Sequence, residues 1–472
     1  MPIRASVFAA SACLSAALLA GCADGGSSVT RPAGTVPLSA QHSTVAGGQT
    51  AGRGAHSGTR RTLAVPTCSG TGVSAFVGGG VSNVAGGNES FVGGGQDNQA
   101  CDVLSTIAGG YHNAISYTSE GGDGFIGGGE DNVLTVDDTD SAIVAGNNNA
   151  VMGNASAIVG GDGNSIVAGG SLIGAGESNT VAVDGGDGAI VSGNQNNLSG
   201  QFGFIGAGVY NKNSATYGVV AGGFTNSVSA EYGFIGAGTN NTVSGEGGYV
   251  AAGGYNTASG TGAVVDGGFN STAAGTFATI PGGYVNSAAG TYSFAAGARA
   301  SAAQTGTFVW SDGSDGDTIL TSSRAYQFLA RASGGVTFWT NAASTVGATL
   351  APGSGTWASA SDRNLKTDVA RIDDAAVLDK VAALPIERWS YKSERGVRHV
   401  GPMAQDFYAA FRVGEDDKHI TSIDEDGVAL AAIKALHAQN ARLTALAAKQ
   451  SSQIAKLSAE VASIRAEIRA KR

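Results

Sequence analysis

The fold is decided by the stretch FVGGGVSN at residues 76–83, which returns fifteen residues later as FVGGGQDN at residues 91–98. Both copies place two apolar residues before a run of glycine and end on Asn. Gly supplies the positive φ that a tight corner needs, and Asn tolerates the same region while its amide can bond to an identical Asn in a stack. The pattern therefore predicts short strands joined by tight corners, with one copy stacked on the next.

The repeat continues far beyond these two copies. Its unit reads apolar-apolar-x-Gly-Gly-x-x-Asn-x-apolar-x-x-Gly, and a period this short is typical of a solenoid, whose coils bury their apolar side by stacking. Most steps are 15 residues, with Ser271 and Ser301 in the same phase, and three longer steps predict loop insertions of four, two and two residues. The in-phase asparagines are Asn83, Asn98, Asn113, Asn132, Asn149, Asn164, Asn179, Asn196, Asn211, Asn226, Asn241, Asn256 and Asn286.

These units resemble the head repeats of YadA-like trimeric adhesins, although the usual adhesin repeat is one residue shorter. The resemblance covers about residues 76–301 and implies a left-handed parallel β-roll in each chain of a homotrimer. A calcium-binding nonapeptide roll is the alternative, because Gly160-Gly161-Asp162-Gly163-Asn164 is similar to its motif. A nine-residue period is absent and the Asp positions do not recur, so we expect no metal and no other cofactor.

Composition and charge exclude several classes of protein. Gly accounts for 76 of 472 residues, but there is no G-X-Y period and Pro is only 8, which excludes collagen. Residues 361–472 carry 18 basic and 16 acidic side chains, whereas residues 1–360 carry 9 and 21, with Lys212 as their single Lys. An acidic body so poor in Lys cannot displace counterions from phosphates, so we expect no nucleic-acid partner.

The N-terminus has the pattern of an export signal. Arg4 precedes an apolar run from Ala5 to Ala20, which is too short for a comfortable membrane span of about 20 residues. The run ends in Leu19-Ala20-Gly21-Cys22, which resembles the bacterial lipobox. The resemblance implies that Cys22 is lipidated and holds the protein in the cell envelope, as a surface-exposed lipoprotein of the outer membrane.

Two further cysteines belong to the exported part of the chain. Cys68 and Cys101 lie near the start of the repeats. An exported protein can oxidise such a pair, so a Cys68–Cys101 disulfide is one interpretation. Two small buried apolar residues are the other.

At residue 358 glycine becomes rarer and charges become frequent. The segment Ser361-Asp362-Arg363-Asn364-Leu365-Lys366 resembles the start of the tail-spike intramolecular chaperones, peptidase family S74. The resemblance extends to about residue 446. Its later matches are Leu384-Pro385, Trp389-Ser390-Tyr391-Lys392, His399-Val400-Gly401-Pro402-Met403-Ala404-Gln405-Asp406, where Pro402 and Asp406 depart from the pattern, and Gly427-Val428.

Ser361 and Lys366 are the candidate catalytic residues. A Ser hydroxyl is a weak nucleophile without a base, and a Lys is a base only when burial lowers its pKa towards neutrality. The family resemblance implies that Ser361 attacks the carbonyl of Ala360 and cuts the Ala360–Ser361 bond, which would make the chain a single-turnover, self-cleaving serine peptidase and no other kind of enzyme. His399 is an alternative base, and Asp362 either orients Lys366 or caps the following turn.

The last segment has the pattern of a trimeric coiled coil. Six heptads run without a slip, and Ile at a with Leu or Ile at d is compatible with three strands. Asn440 and Gln450 would set the register at some cost in stability. The a positions are Ile433, Asn440, Ala447, Ile454, Val461 and Ile468, and the d positions are Leu436, Leu443, Gln450, Leu457, Ile464 and Lys471.

The sequence thus predicts a mainly β protein: a trimeric left-handed parallel β-roll of 15-residue repeats, a β neck, and a small α/β chaperone domain ending in a coiled coil. The expected function is an adhesin-like trimeric fibre that assembles with its own chaperone domain and has a possible host or glycan ligand. The alternative is a tail-spike-like fibre that binds or degrades polysaccharide. The predicted segments are 1–21 (signal peptide), 22–75 (flexible tether), 76–304 (repeats), 305–357 (neck), 358–432 (chaperone domain) and 433–472 (coiled coil).

Overall fold

A computed structural model describes residues 68, 70–117, 122–136 and 140–471. The predicted signal peptide, Cys22 and nearly all of the predicted tether therefore lie outside the described residues. From residue 76 the chain winds into a β-solenoid of about 15 turns, in which every coil contributes one short strand to each of two parallel sheets. The repeat period thus predicted the architecture of this region correctly.

Odd-numbered strands form the first sheet, of 17 strands, and even-numbered strands form the second, of 16. The turn that leads from an even-numbered strand to the next odd-numbered one is called the return corner below. The strands are β1 (Phe76–Val77), β2 (Val84–Ala85), β3 (Phe91–Val92), β4 (Gln99–Ala100), β5 (Thr106–Ile107), β6 (Ala114–Tyr117), β7 (Phe125–Ile126), β8 (Val133–Val136), β9 (Ala142–Ile143), β10 (Ala150–Val151), β11 (Ala157–Ile158), β12 (Ser165–Ile166), β13 (Leu172–Ile173), β14 (Thr180–Val181), β15 (Ala189–Ile190), β16 (Asn197–Leu198), β17 (Phe204–Ile205), β18 (Lys212–Asn213), β19 (Val219–Val220), β20 (Ser227–Val228), β21 (Phe234–Ile235), β22 (Thr242–Val243), β23 (Tyr249–Val250), β24 (Thr257–Ala258), β25 (Val264–Val265), β26 (Thr272–Ala273), β27 (Thr279–Ile280), β28 (Ser287–Ala288), β29 (Phe294–Ala298), β30 (Ala300–Ala302), β31 (Phe308–Asp312), β32 (Leu320–Thr321) and β33 (Phe328–Arg331).

The core is a column of side chains running inside the coils. Successive side chains of a strand point to opposite faces, so in a two-residue strand the first residue points outward and the second inward. Ile205 and Leu198 show the inward position, and both are fully buried. In the later coils the second sheet supplies Ala258, Ala273 and Ala288 instead, so the core becomes narrower towards the C-terminal end.

The in-phase asparagines form a second buried column. Asn196 is almost fully buried, and its Nδ2 donates to the carbonyls of Ser192 and Gly208 at 3.3 and 2.9 Å. Its Oδ1 accepts from the backbone N–H of Asn211 in the next coil at 3.0 Å. The side chain therefore bonds to corner carbonyls and links one coil to the next, which is the stacking expected from the repeat.

The three longer steps leave the strand register unchanged. Leu172 pairs with Ala189, seventeen residues on, and the extra residues lie in the return corner after β14. The other two insertions occupy the same corner after β6 and β8, partly in residues outside the described ranges. Extra length is thus accommodated on one side of the solenoid, where it does not interrupt the sheets.

The segment predicted as a neck, residues 305–357, consists of two different parts. Its first part continues the solenoid, because β31 pairs in parallel with β29 and β33 pairs in parallel with β31. Its second part is an antiparallel sheet of β34 (Val336–Trp339), β35 (Gly347–Leu350) and β36 (Trp357–Ser359). The parallel pairing therefore extends to Arg331, beyond the last repeat that the Gly and Asn pattern identifies.

The C-terminal part is helical with one small hairpin. A 3-10 turn (Arg363–Leu365) is followed by α1 (Asp374–Ala383), the antiparallel pair β37 (Glu387–Trp389) and β38 (His399–Gly401), α2 (Ala404–Phe411) and α3 (Ser422–Ala470). The side chain of Asp374 in α1 forms an ion pair with Lys434 in α3. None of the helices in the described residues has both the length and the apolar character that crossing a membrane would need.

Candidate functional site

Ser361 and Lys366 lie side by side just after the antiparallel sheet. Ser361 comes two residues after β36, and the 3-10 turn then brings the chain back, so that Lys366 Nζ donates to Ser361 Oγ at 2.7 Å. The turn is closed by two backbone bonds, from Leu365 N to Asp362 O and from Lys366 N to Arg363 O, each 3.2 Å. A spacing of five residues therefore brings the Lys366 amine within hydrogen-bond distance of the Ser361 hydroxyl.

Asp362 has a structural role in this turn. Its Oδ1 accepts from the backbone N–H of Asn364 at 2.9 Å and from the Asn364 side chain at 3.1 Å. This is the bond of a helix N-cap, in which a side-chain oxygen satisfies a free N–H of the first turn. Of the two roles that the sequence left open for Asp362, the structure shows the cap.

The chemistry that this pair can perform depends on the charge of the amine. Ser361 and Lys366 are both exposed in the single chain. Water stabilises an ammonium, and an ammonium donates to the hydroxyl but cannot accept its proton. The chain thus supplies the distance that a general base needs, but in the single chain it does not supply the burial that would favour a neutral amine.

His399, the alternative base, lies in a cluster of aromatic side chains. Its ring stacks on Trp389 with centroids 4.7 Å apart, and its centroid lies 5.6 Å from that of Tyr391. Its Nε2 lies 3.5 Å from a carboxylate oxygen of Glu394. Among the side-chain hydrogen bonds of the described residues, Ser361 bonds to Lys366 and not to His399, which favours a packing role for His399.

The two cysteines near the start of the repeats are joined in the structure. Cys68 and Cys101 form a disulfide with Cα atoms 5.7 Å apart. Cys68 lies over the corner at Gly86, where the chain enters the first coil. The bond therefore attaches the incoming segment to the side of the solenoid one coil further on.

Two polar features of the solenoid were not predicted from the sequence. The first is Asp312 at the end of β31, whose carboxylate accepts bonds from Ser314 and Ser333. Hydrogen bonds from the side chain and backbone of Ser333, and then from Ser314, hold the pKa of Asp312 well below its usual range. The second is an open groove at the insertion after β14, described below. The insertion itself was visible in the spacing of the asparagines, but its shape was not.

Carboxylates elsewhere are scattered over the corners. Within residues 68, 70–117, 122–136 and 140–471, no group of three or more His, Cys, Asp or Glu side chains is arranged to hold a metal ion. Asp162, which suggested a calcium-binding motif, lies in the isolated bridge between neighbouring coils, opposite Asn147 and Glu177.

Comparison with known families identifies one domain. Residues 361–413 match the Peptidase_S74 family, described as the chaperone of endosialidase. The match begins at Ser361 and contains the Ser361–Lys366 pair and His399. No protein in the curated collection matches the chain. The chain therefore carries a Peptidase_S74 chaperone domain near its C-terminus, behind a β-solenoid.

Proposed function

We propose that this chain forms a trimeric, adhesin-like fibre whose C-terminal domain guides assembly and then cuts the bond between Ala360 and Ser361. The observation that carries the proposal is the 2.7 Å contact between Lys366 Nζ and Ser361 Oγ, at the first residue of the Peptidase_S74 match. A nucleophile and a potential base are already within hydrogen-bond distance, which is the arrangement that nucleophilic catalysis needs.

The apolar stripe on α3 supports association of several chains. Ile454, Leu457 and Ile464 are exposed by 64, 60 and 55%, although they occupy a and d positions of the heptad pattern. A regular apolar stripe on a helix of 49 residues is the surface that a coiled coil buries. The same pattern of Ile and Leu is compatible with three strands.

The outward face of the first sheet supports the same conclusion. From β1 to β33, the first residue of every odd-numbered strand is Phe, Tyr, Leu, Val, Ala or Thr. The corresponding face of the second sheet carries Gln99, Asn197 and Lys212 and several Ser and Thr residues. The first position of every odd-numbered strand is uncharged, and Asp312 at the end of β31 is the charged residue within these strands that shares the outward face. A face so poor in charge can lie against identical chains with little repulsion, so we place the first sheet towards the trimer axis.

The cleavage step follows from the positions of the two side chains. The Oγ of Ser361 attacks the carbonyl carbon of Ala360, while neutral Lys366 takes the hydroxyl proton and passes it to the leaving amide nitrogen. The C–N bond breaks and leaves an ester between the Ala360 acyl group and Ser361 Oγ, with Ser361 as a free amino terminus. Water hydrolyses the ester and releases residues 361–472. Burial of Lys366 by neighbouring chains would favour its neutral amine and limit the reaction to assembled trimers.

The order of events has a kinetic reason. Parallel β structure with non-local pairing forms slowly, and three chains must begin in register. A coiled coil forms from local contacts and holds three chains at high effective concentration. Removal of the domain afterwards would leave a fibre that unfolds and dissociates slowly, because the coiled coil that set the register is gone.

The test is the fate of the full chain and of two variants. Wild type should yield a fragment that begins Ser-Asp-Arg-Asn, identified by a denaturing gel and N-terminal sequencing. Ser361→Ala and Lys366→Ala should each leave a single full-length band. Ser359→Ala and Lys380→Ala, which remove a neighbouring hydroxyl and another exposed amine, are the matched controls and should be cut normally. Cleavage at another bond, or normal cleavage of Ser361→Ala, would contradict the proposal.

Anchoring at the cell surface is part of the proposal and concerns residues outside the described ranges. Its support is the Leu19-Ala20-Gly21-Cys22 pattern, together with a disulfide between Cys68 and Cys101, a bond that persists in oxidising compartments. Acylated Cys22 would hold the fibre in the outer membrane. Cys22→Ser should therefore move the protein from the detergent phase to the aqueous phase, and an unchanged partition would exclude the anchor.

A tail-spike-like fibre that binds or degrades polysaccharide is the second candidate, and the Peptidase_S74 match favours it. Such a fibre would share the assembly mechanism but would have no lipid anchor. A polysaccharide-degrading form would also need two carboxyl groups about 5–10 Å apart in a cleft. The partition of wild type and Cys22→Ser therefore distinguishes the two candidates.

A further inference from the structure

The return corner after β14 forms one side of an open groove. The two inserted residues push the loop that includes Val183 and Asp184 outward, beside the return corners of the next two coils. The loop and the corners enclose an open groove of about 670 Å³, lined by Asp184, Ser199, Gln201, Ser214 and Thr216 among others.

The lining has the chemistry of a site for a ligand rich in hydroxyl groups. Three hydroxyls, one amide and one carboxylate offer both donors and acceptors, and no Lys or Arg lines the groove. Within the described residues, no hydrogen bond to another protein group occupies the side chains of Asp184, Gln201 or Thr216. These groups are therefore available to a ligand, whereas the buried asparagines of the same coils are fully bonded to backbone.

Two aromatic residues adjoin lining residues of this groove along the chain, although the lining itself contains no aromatic side chain. Gln201 directly precedes Phe202, and Thr216 directly precedes Tyr217. Phe202, Tyr217 and Tyr232 stack on one another with centroids 5.1 and 5.3 Å apart and nearly parallel planes. The three side chains are exposed by 43 to 57%. A flat apolar surface beside a few polar groups is the combination that binding sites for small ring-shaped ligands use.

The position of the groove leaves it open in the assembly proposed above. Ser199 directly follows β16 and Ser214 directly follows β18, so these two residues lie on the second-sheet side of the corner. The uncharged face that we assign to the trimer axis belongs to the first sheet. Asp184 and Asp187 at this corner, within an acidic and Lys-poor body, would repel polyanions.

We propose that this corner groove binds a neutral polysaccharide, with Asp184, Gln201 and Thr216 bonding to sugar hydroxyls and the ring column contacting the apolar face of a sugar. The proposal gives the fibre its ligand class and therefore rests on the fibre function proposed above. The lining contains one carboxylate and no basic residue, which is consistent with an uncharged ligand.

The experiment is native affinity electrophoresis of the full chain in gels that contain dextran, yeast mannan or galactan, with polygalacturonate as the anionic comparison. At least one neutral polymer should retard wild type. A Gln201→Ala/Thr216→Val variant should raise the apparent Kd at least fivefold, and Tyr217→Leu should act in the same direction. Tyr292→Leu is the matched control and should behave as wild type, because Tyr292 occupies the same corner position and stacks on Phe277, away from the groove lining.

Light scattering on the same samples separates the two proposals. If the protein is a trimer and none of the three neutral polymers retards it, the binding proposal is overturned and the fibre proposal stands. The same conclusion follows if wild type and the Gln201→Ala/Thr216→Val variant are both trimers and are retarded equally. Stronger retardation by polygalacturonate than by the neutral polymers would also overturn it. A monomer would overturn the fibre assignment itself, on which the groove's function depends.

Discussion

The solenoid and the C-terminal domain differ in how many of their apolar side chains are buried within one chain. Along the solenoid, an unbroken column of Ile, Val, Leu and Ala is fully buried within one chain. In the described residues after 360, the buried hydrophobic side chains are Phe407, Ala431 and Ala432. The apolar residues of α3 remain exposed instead. A coil of the solenoid therefore obtains its stability from the coils before and after it, whereas the C-terminal domain buries few apolar side chains within one chain.

The polar groups show the same contrast. The buried Asn of each coil is bonded to carbonyls of its own chain and to the next Asn, and Ser271 continues the column by accepting from Asn286 N at 3.2 Å. In the C-terminal domain the Ser361–Lys366 bond lies in water. Under the function proposed above, the Ser361–Lys366 pair is unreactive while it is exposed to water and becomes reactive when assembly buries it.

The largest expected effect is on the α3 stripe. Ile454→Asn/Leu457→Asn removes two apolar side chains per helix, each worth about 2 kcal/mol when buried, and so on the order of 10 kcal/mol per trimer. The double variant should be monomeric by light scattering, whereas wild type should be trimeric.

The matched control is Ala455→Asn/Lys456→Asn, which places the same polar groups on the outer side of the same helical turn. It should remain trimeric. A monomeric wild type, or a stripe variant that remains trimeric, would show that the C-terminal domain completes its core without other chains.

A smaller effect is expected inside the solenoid. Asn164 is fully buried, its Nδ2 donates to Gly160 O and Gly176 O, and its Oδ1 accepts from Asn179 N. Asn164→Ala leaves Gly160 O and Asn179 N without these partners and removes one of the two bonds to Gly176 O, so it should lower the free energy of unfolding by roughly 2–4 kcal/mol. The measurement is chemical denaturation followed by circular dichroism.

Two further variants test the reason for this cost. Asn164→Ser should be milder, because Ser271 already occupies an equivalent position and continues the column. Asn147→Ala removes an exposed Asn of the preceding coil and should cost little. Equal costs for Asn164→Ala and Asn147→Ala would mean that the buried column does not stabilise the coils.

The sequence predicted the features that repeat and missed several of those that occur once. The period of Gly and Asn determines the corners, so the coils and the buried asparagines were predictable. The spacing of Ser361 and Lys366, together with the family resemblance, anticipated their proximity. The parallel pairing of β31 and β33 was not predicted, because the Gly and Asn pattern ends before them and backbone pairing alone continues the sheet. The groove beside Asp184 depends on the conformation of a single insertion, which spacing does not determine.

The smallest effect concerns Asp312, at the last part of the self-contained solenoid. Its Oδ2 accepts from Ser333 N at 2.6 Å, and its Oδ1 accepts from Ser314 N and Oγ at 3.0 and 2.7 Å. These bonds favour the carboxylate, and the pKa of Asp312 in the folded chain therefore lies below the usual value of about 4. A lowered pKa stabilises the fold fully above about pH 4, and this contribution disappears as the pH falls through the lower folded value.

Asp312→Asn removes that pH-dependent contribution, so its urea midpoint should lie below that of wild type at pH 7, and the difference should shrink steadily from pH 4 to pH 2. Ser314→Ala should show part of the same behaviour, because it removes one of the donors that favour the carboxylate. Ser354→Ala is the control, since its hydroxyl bonds within a turn and touches no carboxylate. The difference between Asp312→Asn and wild type would contradict this account if it stayed constant from pH 7 to pH 2. In that case the side chain would stabilise the end of the solenoid by its shape and not by its charge.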